Sequence, residues 1–137
     1  MDYETYREQY FVEPAPEQRF GFEGLMGAVL FFAAYETAVS FYEQVLGPPA
    51  YVEGDSTKGW QLGATWLTLL RGRKGDPSNV EIPVVMSSPA EAERLQQAFV
   101  AAGATGVPPS DQLMYWPVRS CPVRDPFGTN IMIYSRL

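Results

Sequence analysis

The chain has 137 residues, 46% of them apolar and 14% aromatic, and a net charge of −6. That composition fits one globular domain with a sizeable core, and its acidity argues against a nucleic-acid partner. With no histidine and one cysteine, Cys121, Ser-His and Cys-His nucleophile pairs, a histidine general base and an internal disulfide are all excluded, and a zinc site would rest on carboxylates almost alone.

No run approaches the ~18 apolar residues of a membrane span, so no membrane partner is expected. The opening MDYETYREQYFVEPAPEQ is acidic and aromatic, not basic then apolar, so no secretory signal is read. A single cysteine fits a reducing cytoplasm. Residues 1–24 read as an arm. Tyr3, Tyr6, Tyr10 and Phe11 make a stripe on a short helix that Pro14 and Pro16 end, packed over the domain or onto a partner subunit, with a disordered tail as the alternative.

An apolar strand runs over 25–32. In AAYETAVSFYEQVLGPP, the spacing of Ala38, Phe41, Tyr42, Val45 and Leu46 predicts an amphipathic helix, with Gly47 as its C-terminal cap and Pro48 and Pro49 barring continuation. AYVEGD is a short strand, and GWQLGATWLTLLRG makes two strands around the Gly63-Ala64 turn. RGRKGDPSN is a charged surface loop. The order then restarts. VEIPVVM is a strand. SSPAEAERLQQAFVAAG is a helix with Ser88 as N-cap, Pro89 in the first turn, Glu91 completing a capping box and Gly103 at the far end. Strands follow around Thr105 to Val107, in YWPVRSCPVR and in NIMIYS. The chain thus reads as strand-helix-strand-strand-strand, twice: a first module over 25–75 and a second over 80–137.

Three stretches in this order resemble one family. AVSFYEQVLG resembles the first helix of the vicinal oxygen chelate superfamily, which includes glyoxalase I, extradiol dioxygenases and bleomycin-resistance proteins. SSPAEAERLQQAFVAAGA is similar to its second helix. CPVRDPFGTNIMIYS is similar to its closing turn and strand, with Thr129 where asparagine is usual. The match covers 25–137. It implies an α+β fold of paired βαβββ modules, curled as a mixed sheet around a cleft with helices on the outer face, often in homodimers.

In metal-dependent members, four inward strand positions hold His or Glu. Here they fall on Gly27 (or Met26), Thr68, Glu81 (or Val80) and Met132. Glycine and methionine do not bind a hard cation, threonine binds one poorly, and a lone carboxylate does not make a site. Metal-dependent glyoxalase or dioxygenase activity therefore does not transfer, and no cofactor is expected.

Strand alternation supplies an apolar, aromatic lining. The candidate ligand contacts are Phe31, Trp60, Trp66 and Thr68 in the first module. In the second they are Glu81, Tyr115, Trp116, Arg119, Met132 and Tyr134. The leading expectation is a metal-free protein that binds a small apolar or aromatic molecule. A metal-independent lyase or isomerase is the alternative, with Glu81 as general acid/base and Arg119 or Tyr115 steadying substrate charge. A third is a structural or interaction domain using the aromatic arm.

Overall fold

The structure is a computed structural model that describes residues 1–19, 25–72 and 80–137. Residues 20–24 of the arm and 73–79 of the charged loop lie outside the described residues. The two long helices begin and end where the sequence marks them. Helix α2 (Tyr35–Leu46) stops at Gly47, which adopts φ 85°. Helix α3 (Pro89–Ala101) starts at Ser88, whose hydroxyl accepts from the Glu91 N–H at 3.2 Å, and ends before Gly103 at φ 118°. The reciprocal half of the capping box is replaced: the Glu91 carboxylate binds Arg94 at 2.9 Å. Helix α1 (Tyr3–Tyr10) is capped by the Asp2 carboxylate, and none of its residues is buried.

Two mixed sheets make the rest, and the fold class is α+β. In the first, β1 (Gly27–Phe32) runs parallel to β4 (Thr65–Arg71), followed by β3 (Thr57–Leu62) and β2 (Tyr51–Glu53). In the second, β5 (Glu81–Met86) runs parallel to β10 (Asn130–Arg136). On its other side β10 meets β8 (Pro117–Ser120) and β9 (Val123–Arg124), one line of chain interrupted at Cys121-Pro122, where proline has no N–H for the ladder. Strands β6 (Thr105–Gly106) and β7 (Ser110–Leu113) complete this sheet. Strand β7 was not anticipated. Its sequence, SDQL, is polar and exposed on an outer edge, so it carries no apolar alternation.

Each sheet buries one apolar face against a helix. Leu30, Phe32, Leu67 and Leu69 of the first, and Ile82, Ile131 and Ile133 of the second, are buried in one core. Helix α2 covers the first sheet and α3 the second, and the two helices touch. Phe41 of α2 lies 6.2 Å from Phe99 of α3, and Phe32 of β1 lies 5.3 Å from Phe127. The modules of one chain are therefore joined through their helix-bearing faces. The DPFG turn clamps this junction. The buried Asp125 carboxylate accepts from the backbone N–H of Phe127 at 2.9 Å and of Thr129 at 2.8 Å. Its other oxygen accepts from the Tyr42 hydroxyl at 2.6 Å. Three donors offset the cost of burying this charge. One consequence positions the site: the two sheet faces opposite the helices point away from each other.

Candidate functional site

The outward face of the first sheet carries one half-cleft. Pairing sets Gly27 beside Trp66 and Val29 beside Thr68. A hollow of about 370 Å³ opens there, walled by Met26, Val29, Tyr51, Trp66 and Thr68. The Tyr51 and Trp66 rings meet edge-on at 6.5 Å. Gly59 keeps the floor low, because a Cβ there would stand 3.3 Å from Tyr51 and 3.4 Å from Trp66. Phe31 lies on the same face but beyond the hollow, its ring beside Gly72.

The outward face of the second sheet carries the other half. Pairing sets Glu81 beside Asn130, Pro83 beside Met132 and Val85 beside Tyr134. The hollow here is about 400 Å³, walled by Glu81, Met114, Tyr115, Trp116, Met132 and Tyr134. Burial first, and the Glu81 charge second, push the Tyr134 phenol above its ordinary pKa. The Glu81 carboxylate has no hydrogen bond or ion pair among the described residues. Tyr115 is 70% exposed at the rim. The Arg136 guanidinium lies 3.8 Å from the Trp116 ring centroid. The arm reaches the same rim: the Tyr3 hydroxyl donates to the Tyr115 carbonyl, and Phe11 meets the Tyr115 ring edge-on.

Two expected contacts lie elsewhere. Trp60 is buried on the helix side of β3, beside Tyr42, with its indole N–H donating to the Gly47 carbonyl at 2.8 Å. It is a core residue. Arg119 pairs opposite Ser135 and binds Glu93 of α3 at 2.9 Å and Asp111 at 3.0 Å. Those two carboxylates hold it on the helix side, so it neither borders the cleft nor partners Glu81. Arg124 stands opposite Asn130, roughly 10 Å from Glu81 by strand spacing. The structure brings Trp66 and Thr68 together on one face, and Glu81, Tyr115, Trp116, Met132 and Tyr134 on the other. It does not bring those two sets together within one chain. Sequence reasoning named Met26 only as an alternative to Gly27, and missed Tyr51, Gly59, Met114 and Val118. Tyr51 was accessible in principle, since tight β2–β3 and β3–β4 turns together fix which face β2 shares with Trp66.

A third hollow, about 480 Å³, lies between the modules on their helix sides, bounded by Leu46, Leu62, Val84, Leu95 and Phe99. Among the described residues its polar side chains are the hydroxyls of Tyr42, Thr65 and Ser87, with no carboxylate, amine or guanidinium.

The four positions that hold metal in the family do not fit a hard divalent cation. Gly27 and Thr68 lie on one outward face, and Glu81 and Met132 on the other. At Gly27 the backbone itself forbids a ligand. Its φ is 154°, and a Cβ would stand 1.8 Å from the Trp66 carbonyl oxygen. Among the described residues, no group of three or more His, Cys, Asp and Glu could hold a metal ion.

Two βαβββ modules, each with an apolar hollow opposite its helix, define a protein of the vicinal oxygen chelate fold. Solved structures agree. The chain is similar to a glyoxalase/bleomycin resistance protein from Albidiferax ferrireducens (18% identity, TM-score 0.69, covering 82% of this chain and 98% of that one). It is also similar to a virulence protein from Salmonella typhimurium (22%, TM-score 0.67, 86% and 100%). A third likeness is to the fosfomycin resistance protein FosX from Mesorhizobium loti (18%, TM-score 0.64, 85% and 95%). At these identities the likeness is one of fold. No family model matches the chain, and no curated protein matches it. Among the described residues, no helix is long and apolar enough to cross a membrane.

Proposed function

We propose that this chain binds a small apolar or aromatic molecule without a metal ion, in a cleft completed between two copies of itself. The observation that carries the reading is the content of the family's four ligand positions. They hold Gly27, Thr68, Glu81 and Met132, within hollows lined by aromatic rings and thioethers. Such walls suit flat apolar ligands, and methionine adapts to their shape.

The direction of the half-clefts supports a homodimer. They face apart in one chain, and β1 and β5 are each the outer strand of their sheet among the described residues. A second copy set with its β1 beside this β5 would place one first half-cleft opposite one second half-cleft, twice by symmetry. Residues 25–137 form the binding domain and residues 1–24 an arm, which reaches the rim through Tyr3 and Phe11. Buried Cys121 and the lack of any disulfide suit a reducing cytoplasm.

The test is a titration with neutral and charged aromatic compounds in EDTA, following the fluorescence of Trp66 and Trp116. Saturable quenching that the chelator leaves unchanged is expected. Binding that EDTA abolishes, or no binding by any compound, contradicts the reading.

A second reading is favoured by the Glu81 carboxylate acting on the Tyr134 phenol inside a hollow: a metal-independent enzyme with Glu81 as general acid/base. Loss of turnover in Glu81→Gln would support it. Arg119, turned toward α3, plays no part.

A further inference from the structure

Among the described residues, the two half-clefts contain one formal charge between them: Glu81 is the only ionised side chain in the walls of the second hollow, and the first has none. Aromatic rings surround it: Tyr115, Trp116 and Tyr134 on its own face, and Tyr51 and Trp66 in the other half. We infer that the ligand is an organic monocation, an amine or quaternary ammonium on an apolar or aromatic body, neutralised by the Glu81 carboxylate and packed on the Tyr115 and Tyr134 rings. The inference rests on the binding function proposed above and names its ligand class.

Three considerations select this class. A neutral ligand seated here would strip water from Glu81 and return no counter-charge. An anion would meet the carboxylate's repulsion. A hard divalent ion would need several oxygen donors, where the neighbours are rings and thioether sulfurs. A monocation uses both features present, since ring faces attract cations and one carboxylate balances one charge.

The site already shows such a contact internally. Arg136 stacks on Trp116 with 3.8 Å between guanidinium and ring centroid. It takes a face of that ring, which is why the ligand is assigned to Tyr115 and Tyr134. Among the described residues, the neighbouring cations leave Glu81 available. Arg119 is held by Glu93 and Asp111. Arg124 lies beyond Asn130, and neither Arg124 nor Arg136 lines the hollow. The Tyr134 phenol is raised partly by the Glu81 charge, which sets that carboxylate within electrostatic reach of the ring.

The experiment titrates the full chain with benzyltrimethylammonium, with its uncharged carbon isostere neopentylbenzene, and with phenylacetate. The same titrations are run on Glu81→Gln. In the native chain the cation should bind about tenfold more tightly than the isostere, and phenylacetate more weakly than both. Glu81→Gln should shrink the cation's advantage to about twofold, while the isostere, no longer stripping water from a carboxylate, binds at least as tightly as before. Added salt should weaken the cation and not the isostere. Because Glu81 is exposed, the variant should fold, and an undiminished isostere affinity together with a native-like urea unfolding curve verifies it. An isostere that binds the native chain as well as the cation does, or a tenfold preference that persists undiminished in Glu81→Gln, overturns the cation assignment and leaves the apolar-ligand reading standing. No binding by any of the three overturns both.

Discussion

Replacing Tyr42 with phenylalanine tests the junction that turns the half-cleft faces apart. The ring stays, and only the donor to Asp125 is lost. That hydrogen bond is 2.6 Å long, fully buried, and made to an ionised carboxylate whose other oxygen is already committed to two backbone N–H groups. A hydrogen bond to a charged group is worth about 1.5–3 kcal/mol, and the stranded oxygen adds to this, so a loss of about 2–4 kcal/mol is expected. For a chain of this size that lowers the melting temperature by roughly 7–14 °C. The phenol also gives a pH signature. Burial first, and the Asp125 charge second, hold its pKa far above the ordinary tyrosine value. A folded-state pKa raised in this way confers stability that is fully present below the unfolded value, about 10, and is lost as pH rises beyond it. The native chain should therefore lose about 1.4 kcal/mol per pH unit relative to Tyr42→Phe above pH ~10. Urea unfolding of both proteins at pH 7 and pH 11 measures this. Equal stability at pH 7, or a gap that does not narrow at pH 11, refutes the reasoning.

Three further expectations concern separate parts of the molecule. Gly27→Ala forces a Cβ to 1.8 Å from the Trp66 carbonyl and should destabilise by about 2–4 kcal/mol in chemical denaturation; a neutral result would mean the start of β1 can shift. Cys121, buried and with its thiol pushed up chiefly by burial, should react with a disulfide reagent only after unfolding; fast labelling of the native chain contradicts that placement. Removing residues 1–19 should change unfolding stability by about 1 kcal/mol or less, because α1 buries no residue; a larger loss would make the arm part of the core.

Much of the fold was legible because its signals are local. Ser88, Gly47 and Gly103 mark helix ends through backbone chemistry, and Leu67, Leu69, Ile131 and Ile133 mark strand faces by parity. Parity also set Met132 and Tyr134 on the face opposite the helix. Three things were hidden because they depend on distant partners. Trp60 went to the core because the Gly47 carbonyl accepts its indole N–H. Arg119 went to the helix side because Glu93 and Asp111 wait there. Strand β7 exists because β8 offers it a paired edge, not because SDQL favours a strand. The way the modules pair was the least visible, since it turns on Phe41 meeting Phe99 and Tyr42 meeting Asp125. No short-range pattern records those contacts.

The most direct test of a cleft shared between copies is complementation. Thr68→Arg fills one half-cleft and Met132→Arg the other, on opposite outward faces of the chain, so each variant alone should lose ligand binding. Refolded together in equal amounts, they should recover about a quarter of the native sites: half the dimers are mixed, and each mixed dimer keeps one intact pair of half-clefts. A mixture that stays as inactive as its components would contradict the shared cleft.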